Sequence, residues 1–475
     1  MKRDYLITFW TKTTPPFGHP SLKRRGIVLN KPSAKRIEEM IITPRQTKTK
    51  QMSTQLQQAR KGIVTPEMML VAQQEKVDII WLCNEIAHGR IVIPKNVNRD
   101  FIARAVGNGL STKINANIGT SEKHCSLQEE LQKMKIAVKY GADSIMDLST
   151  GGDLRKTLQR ILSESPVMVG TVPIYSVATR QLAEGKKISE LDPEAIFEEI
   201  EYQAKLGVDF MTLHCGITKN SLAFLDGDER TCGIVSRGGA LLKRWMTDNN
   251  RENPLYEQYD RILDICEQHD VTISLGDGLR PGCGNDATDR GQIAELLTLG
   301  ELVERARRRG VQVIVEGPGH VPLNQIEMNM KLMKQLCGDA PFYVLGPLPT
   351  DTAPGYDHIV GAIGGALAAM HGANFLCYVT PAEHLCLPNE DDVREGVIAS
   401  RIAAQCADSA NNIGGARQRD FAISKARREL NWEGMFASCI NPELARKRRD
   451  ESESSTEDHC TMCGNLCAIK HDCNL

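Results

Sequence analysis

The 475-residue chain has no apolar run close to the ~18–20 residues that a membrane-crossing helix requires, and no secretory signal opens it. It also lacks an excess of either charge. Lys and Arg number 58 against 60 Asp and Glu, and the net charge of -2 gives no basic field to draw nucleic acid. These absences argue against a membrane span and a nucleic-acid partner, and predict a soluble, cytoplasmic protein. Cysteine is not scarce. There are 15, but an odd total without a secretory signal speaks against a disulfide framework. Twelve are scattered singly, among them Cys83, Cys215, Cys266 and Cys377, and read as small buried hydrophobes or reduced thiols.

Residues 1–50 carry twelve Lys or Arg against three acids, and Pro15, Pro16, Pro20 and Pro32 interrupt any regular element. Residues 1–51 therefore read as a basic, disordered extension. The composition also suits a targeting peptide, but the orderly sequence that opens at Met52 favours a plain extension.

Between residues 100 and 405 one theme recurs: a short β-rich run, a Gly or polar turn, then a helical stretch. The runs fall at 113–119 (KINANIG), 144–149 (SIMDLS), 167–175 (VMVGTVPIY), 210–216 (FMTLHCG), 271–276 (VTISLG), 311–317 (VQVIVEG), 342–346 (FYVLG) and 375–379 (FLCYV). Strands alternating with helices imply a parallel sheet. A ninth run, 234–239 (IVSRGG), is one too many for a closed eight-strand barrel. Asn117, Asp147, Tyr175, His214, Asp277, Glu316, Tyr343, Glu383 and His384 sit at or beyond the run ends, where a barrel builds its active site. An open doubly wound sheet would gather such groups at one crevice. The expected fold is thus α/β, a (β/α)8 TIM barrel over 106–405, with an N-terminal domain over 52–105 and a C-terminal arm over 406–475. Residues 450–458, acidic and Ser-rich, have the composition of a tether.

At the end of that arm, CTMCGNLC spaces Cys460, Cys463 and Cys467 so that three thiolates can meet on one 4Fe-4S cluster. Three ligands leave one iron open to chelate S-adenosylmethionine, whereas electron-transfer clusters normally take four. A zinc knuckle is the alternative, with His459 or Cys473 as fourth ligand, and Cys473 could equally close the cluster. Glu316-Gly-Pro-Gly-His320 follows its strand directly, and with His384 offers two imidazoles to a divalent metal; the GYDH segment, Tyr356 to His358, could donate instead. The turns Ser236-Arg237-Gly238-Gly239 and Asp277-Gly278-Leu279-Arg280-Pro281-Gly282 pair glycines with an Arg, which suits a phosphate or a ribose.

Through NANIGTS, MDLSTGGD, GTVPIY, LHCG, IVSRGG, SLGDGLRPG, EGPGHVP, LGPLPTD, APGYDH, CYVTPAEHL, SKAR and CTMCGNLC, in order over about residues 54–470, the chain resembles the phosphomethylpyrimidine synthase superfamily of radical S-adenosylmethionine enzymes. The resemblance implies a homodimer in which each C-terminal arm reaches the partner's barrel. It implies a cluster on Cys460, Cys463 and Cys467, and zinc or another divalent metal on His320 and His384. It implies an oxygen-sensitive reaction on 5-aminoimidazole ribotide, with electrons from a reduced flavodoxin or ferredoxin. The substrate would meet Asn117, Met146, Tyr175, His214, Ser236, Arg237, Gly238, Asp277, Gly278, Leu279, Arg280, Glu316 and Tyr343. Two products are known in the superfamily. Ser176 and Met435, at places where the thiamine branch commonly has Gln, together with Pro349 and Thr352, point to 5-hydroxybenzimidazole, the lower-ligand precursor of cobalamin-type cofactors. The alternative product is 4-amino-5-hydroxymethyl-2-methylpyrimidine phosphate for thiamine. A zinc-dependent barrel hydrolase using His320, His384 and Glu316 is the reading from another class.

Overall fold

The computed structural model describes residues 53–225, 227, 230–452 and 459–473, the side chain of Cys473 excepted. The basic extension expected over residues 1–51, and the tether positions 453–458, lie outside the described residues. The described residues belong to one unit, residues 46–475.

Two short strands, β1 (Ile91–Val92) and β2 (Val106–Gly107), pair antiparallel. Eight more close a wholly parallel barrel: β3 (Lys113–Ile118), β4 (Ser144–Asp147), β5 (Met168–Thr171), β6 (Phe210–Leu213), β7 (Thr272–Leu275), β8 (Val313–Gly317), β9 (Phe342–Leu345) and β10 (Phe375–Cys377), with β10 returning to pair with β3. The expected (β/α)8 barrel is the fold found. Its strands are buried on both faces because helices cover the outside, and polar residues they carry, such as Thr212 and Ser274, are hydrogen-bonded within the barrel. The ninth run is not a strand. Ser236 ends it, accepting the Gly239 N–H at 3.2 Å and starting helix Arg237–Asn249.

The covering helices begin and end on local signals. Helix Arg290–Arg309 starts at Asp289, whose carboxylate accepts the Gln292 N–H at 2.8 Å, and stops at Gly310 with φ 81°. Three arginines fill its last turn, where positive charge meets the helix dipole. Its Leu299, Leu302, Val303 and Ala306 are buried in the main apolar core. Inside the barrel, Phe375 packs on Tyr343 with ring centroids 4.5 Å apart and on Phe210 at 6.1 Å, so the interior is filled rather than open.

The strand N-termini are sealed from below. Helices Gln55–Arg60, Pro66–Glu75 and Ile79–Ala87, with Ile91 of β1, hold a separate apolar cluster around Met68, Val71, Leu82 and Ile86. That segment is tied to the barrel floor through polar groups. Gln312 exchanges hydrogen bonds with the Ile93 backbone at 2.7 and 3.1 Å. Asp209 accepts from the Asn96 N–H and Asp270 from the Gln55 N–H, both at 2.9 Å. The C-terminal helices Glu390–Asn411, Ala416–Arg428, Trp432–Ser438 and Pro442–Asp450 follow the barrel and lead to the cysteine loop. No described helix is long and apolar enough to cross a membrane.

Candidate active site

A cavity of about 260 Å³ opens at the C-terminal ends of the barrel strands. Every strand or the loop after it supplies a wall: Asn117 from β3, Met146 from β4, Tyr175 after β5, Thr212 and His214 at β6, Asp277 and Arg280 after β7, Glu316 from β8, Tyr343 from β9 and Cys377 from β10.

The polar groups here are buried, and burial sets their chemistry. Glu316 Oε1 accepts the Thr212 hydroxyl at 2.6 Å and the Ser274 hydroxyl at 2.7 Å. Arg280 donates to Asp277 Oδ1 at 3.2 Å, while Asp277 Oδ2 is buried without a protein partner. Burial, opposed by the Arg280 charge, raises Asp277 above the usual carboxylate range, and burial raises Glu316 likewise. The site therefore favours a proton on this carboxylate pair. His214 is driven the other way. Burial first, and the Arg280 charge second, hold its pKa down to about 3, so the imidazole is neutral, and its Nδ1 has no protein partner. The Arg237 guanidinium lies over the Tyr175 ring, 4.8 Å from its centroid. Two buried polar atoms without protein partners, beside two guanidinium groups, describe a cradle for a polar, anionic ligand.

Nine of the thirteen residues expected to meet the substrate line this cavity: Asn117, Met146, Tyr175, His214, Arg237, Asp277, Arg280, Glu316 and Tyr343. The other four stand behind it. Ser236 caps the helix that carries Arg237. Gly238 lies against His214, where a Cβ would come within 2.3 Å of the imidazole. Gly278 and Leu279 turn their N–H groups to the Glu295 carboxylate at 2.8 and 2.7 Å. Cys377, read from sequence as a buried hydrophobe, lines the cavity and accepts from Asn117 Nδ2 at 3.1 Å. Its neighbours Asn117 and Tyr343 come from β3 and β9, so nothing in its own segment announces it. Nor did the sequence single out Thr212, a strand residue that holds Glu316.

The four positions that pointed to 5-hydroxybenzimidazole are not in this cavity. Ser176 faces a separate cavity with Arg155, Arg180 and Tyr202. It adjoins Tyr175 in a helix, and successive helical side chains diverge. Met435 sits on helix Trp432–Ser438, Thr352 hydrogen-bonds to Thr350 at the surface, and Pro349 packs near Gly364.

On the rim, the His320 and His384 rings lie 5.2 Å apart. His320 Nδ1 meets Asp351 at 2.6 Å, and His384 Nδ1 lies 3.6 Å from Asp357, whose Oδ2 is buried without a protein partner. Carboxylates on the Nδ1 side leave both Nε2 atoms for an ion, the arrangement common to metal-bound histidines, so the donor set fits a divalent metal. Within the GYDH segment, Asp357 faces His384, while Tyr356 is exposed.

In the cysteine loop, the backbone N–H groups of Cys463 and then Met462 hold the Cys460 thiol below its usual pKa. Soft ligands with amide donors on sulfur fit an iron-sulfur cluster. Cys463 is exposed and Cys467 buried, and Met462 and Leu466, which immediately precede them, are 90% and 83% exposed. The cavity lining ends at Glu383, so the loop is not part of the cavity within one chain.

Fold and site together define a (β/α)8 barrel protein with a polar, anion-suited cavity at the strand C-termini and a separate three-cysteine loop. Residues 54–473 match the Radical SAM ThiC family, and the chain belongs to it. Membership implies a 4Fe-4S cluster and S-adenosylmethionine, and sets the hydrolase reading aside. The chain is 55% identical to a phosphomethylpyrimidine synthase of Thermoanaerobacter sp. (strain X514), over 88% of this chain and 97% of that one. It is 57% identical to one from Carboxydothermus hydrogenoformans with the same coverage, and 53% to "Phosphomethylpyrimidine synthase 1" of Methanosphaera stadtmanae, again over 88% and 97%. These names favour the thiamine-pyrimidine alternative over the 5-hydroxybenzimidazole reading. A solved dihydropteroate synthase from Coxiella burnetii aligns at a TM-score of 0.36 and 12% identity, over 63% of this chain and 94% of that one, a likeness too loose to bear on function.

Proposed function

We propose that this protein converts 5-aminoimidazole ribotide to 4-amino-5-hydroxymethyl-2-methylpyrimidine phosphate, as its relatives' printed name suggests. The observation that carries the reading is the buried cavity with unpartnered Asp277 Oδ2 and His214 Nδ1 beside Arg237 and Arg280. Arg237 and Arg280 suit the phosphate, and the neutral His214 can hydrogen-bond a ribose hydroxyl without adding charge. Asp277 and Glu316, whose pKa values burial raises, are placed to exchange a proton with the imidazole as its ring is rebuilt. Asn117, Tyr175 and Tyr343 complete the walls and exclude water.

Cys460, Cys463 and Cys467 would hold the cluster, which when bound supplies one-electron cleavage of S-adenosylmethionine. His320 and His384 would hold zinc or a similar ion, kept in orientation by Asp351 and Asp357. Because the loop is outside its own chain's cavity, the proposed assembly is a homodimer in which one arm serves the partner's barrel. The electron donor would be a reduced flavodoxin or ferredoxin. The domain division proposed is 52–105, 106–405 and 406–475. The test is mass spectrometry of the products formed anaerobically from 5-aminoimidazole ribotide, S-adenosylmethionine and dithionite. A phosphorylated hydroxymethyl aminopyrimidine supports the reading, and a phosphate-free benzimidazole would overturn it.

A further inference from the structure

Two cysteines that look solitary in the sequence meet in the fold. Cys232 lies in the loop before helix Arg237–Asn249, and Cys283 in the loop after β7. Their sulfurs and a carboxylate oxygen of Asp286 all lie within 4.8 Å of one another, the sole such trio of ligand atoms among the described residues. Asp286 is buried and already aimed: Oδ1 accepts the Thr231 N–H at 2.7 Å and Oδ2 the Cys232 N–H at 2.9 Å. A metal-binding carboxylate is commonly held by hydrogen bonds of this kind.

The local charge also asks for a cation. Asp286 and Asp351 both bear on Cys232 with negative charge. The neighbouring guanidinium, Arg230, is committed to both oxygens of Asp289, at 2.5 and 2.8 Å. A divalent ion held by the two sulfurs would sit against that negative charge.

We propose that Cys232, Cys283 and Asp286 form a second metal site, distinct from the two rim histidines, which takes a thiophilic divalent ion such as zinc. Two sulfurs and an oxygen are a borderline-soft donor set, and the exposure of Cys232 leaves room for water as a fourth ligand. The ion staples the loop leading to Arg237 to the loop that carries Arg280. It also reaches the rim: Gly284, next to Cys283, donates its N–H to Asp351 Oδ2 at 2.8 Å, and Asp351 Oδ1 meets His320. The site thus fixes loops that shape the cavity without touching its contents.

The experiment is anaerobic pulse alkylation of the full-length, cluster-reconstituted protein with iodoacetamide, with and without added zinc, read cysteine by cysteine by peptide mass spectrometry. Zinc is expected to slow labelling of Cys232 and Cys283 at least about tenfold, while the exposed Cys125 and Cys406 label unchanged. Protection should disappear in Asp286→Asn, disappear at Cys283 in Cys232→Ser, and persist in His320→Ala. Equal labelling with and without zinc overturns the proposal, as does a Cys232–Cys283 disulfide peptide in the anaerobic protein. Protection lost in His320→Ala would also overturn it, by assigning the effect to the histidine site. The first comparison uses the unmodified chain, so it stands whether or not the variants fold.

Discussion

At the rim, Asp357 stands on the Nδ1 side of His384, one of the two histidines proposed to hold an ion. Its Oδ1 is 3.6 Å from His384 Nδ1, and its other oxygen is buried without a protein partner. His384 in turn stands at φ 62°, a left-handed conformation that costs a non-glycine residue about 1–2 kcal/mol. A side chain so placed depends on what surrounds it. Asp357→Asn is expected to lower affinity for the rim metal by about 10- to 100-fold. Equilibrium dialysis against zinc in a Cys232→Ser background, which removes the competing thiol site, measures that loss directly.

At the scale of elements, the loop after each strand and the start of the next helix decide where the chemistry stands. Ser236 is wholly buried, and its hydroxyl caps the helix whose first residue is Arg237. Ser236→Ala is expected to cost about 1 kcal/mol of stability and to raise KM for the phosphorylated substrate more than it lowers kcat, since Arg237 is proposed to bind rather than react. Urea unfolding and steady-state kinetics on the same preparation separate the two effects.

This is also the scale at which the sequence was most readable. Eight β-rich runs, each followed by polar residues, implied both the barrel and the rim, because strands alternating with helices form a parallel sheet and a barrel gathers its functional groups at the strand ends. The run at 234–239 left the count one too high, with a loop there or at another run as the open choice, because Ile234 and Val235 look like a strand until Ser236 is recognised as a cap. Ser176 misled for a different reason. Adjacency to Tyr175 suggested a shared cavity, but helical geometry turns neighbours apart. Cys377, and the Cys232–Cys283 pair, could not be read at all, since their partners come from other segments: barrel closure brings Asn117 to Cys377, and the pairing of β6 with β7 brings together the loops of Cys232 and Cys283.

For the whole molecule, the floor and the arm make separate predictions. Asp270 is fully buried beneath the barrel, and burial pushes its pKa from 3.8 up to about 7 despite the Gln55 N–H and Gln312 side-chain donors. A raised folded-state pKa contributes stability that is fully present below 3.8 and is lost as pH rises through about 7. Over that window the term is at most about 4 kcal/mol. Asp270→Asn should therefore flatten the fall in Tm between acidic and neutral pH, as calorimetry at several pH values would show. A parallel slope in variant and wild type would mean that Asp270 does not titrate there. The proposed exchange of arms between subunits makes its own prediction. Chains carrying Cys463→Ala and chains carrying Glu316→Gln, each inactive alone, should regain up to about a quarter of wild-type activity when unfolded and refolded together, because half of the random pairs hold one intact site. No recovery would mean that each arm serves its own barrel.

The floor and the ring of eight contributors have a joint consequence for how this protein fails. Each strand brings one wall of the cavity, so no half-barrel contains even a crude version of the site. A local opening anywhere around the ring dismantles the binding surface before the rest of the domain has noticed. Substrate binding is then an all-or-none reporter of ring closure. Its loss on heating or in urea should come at or before the global transition and never after it, with no partly unfolded species that still binds.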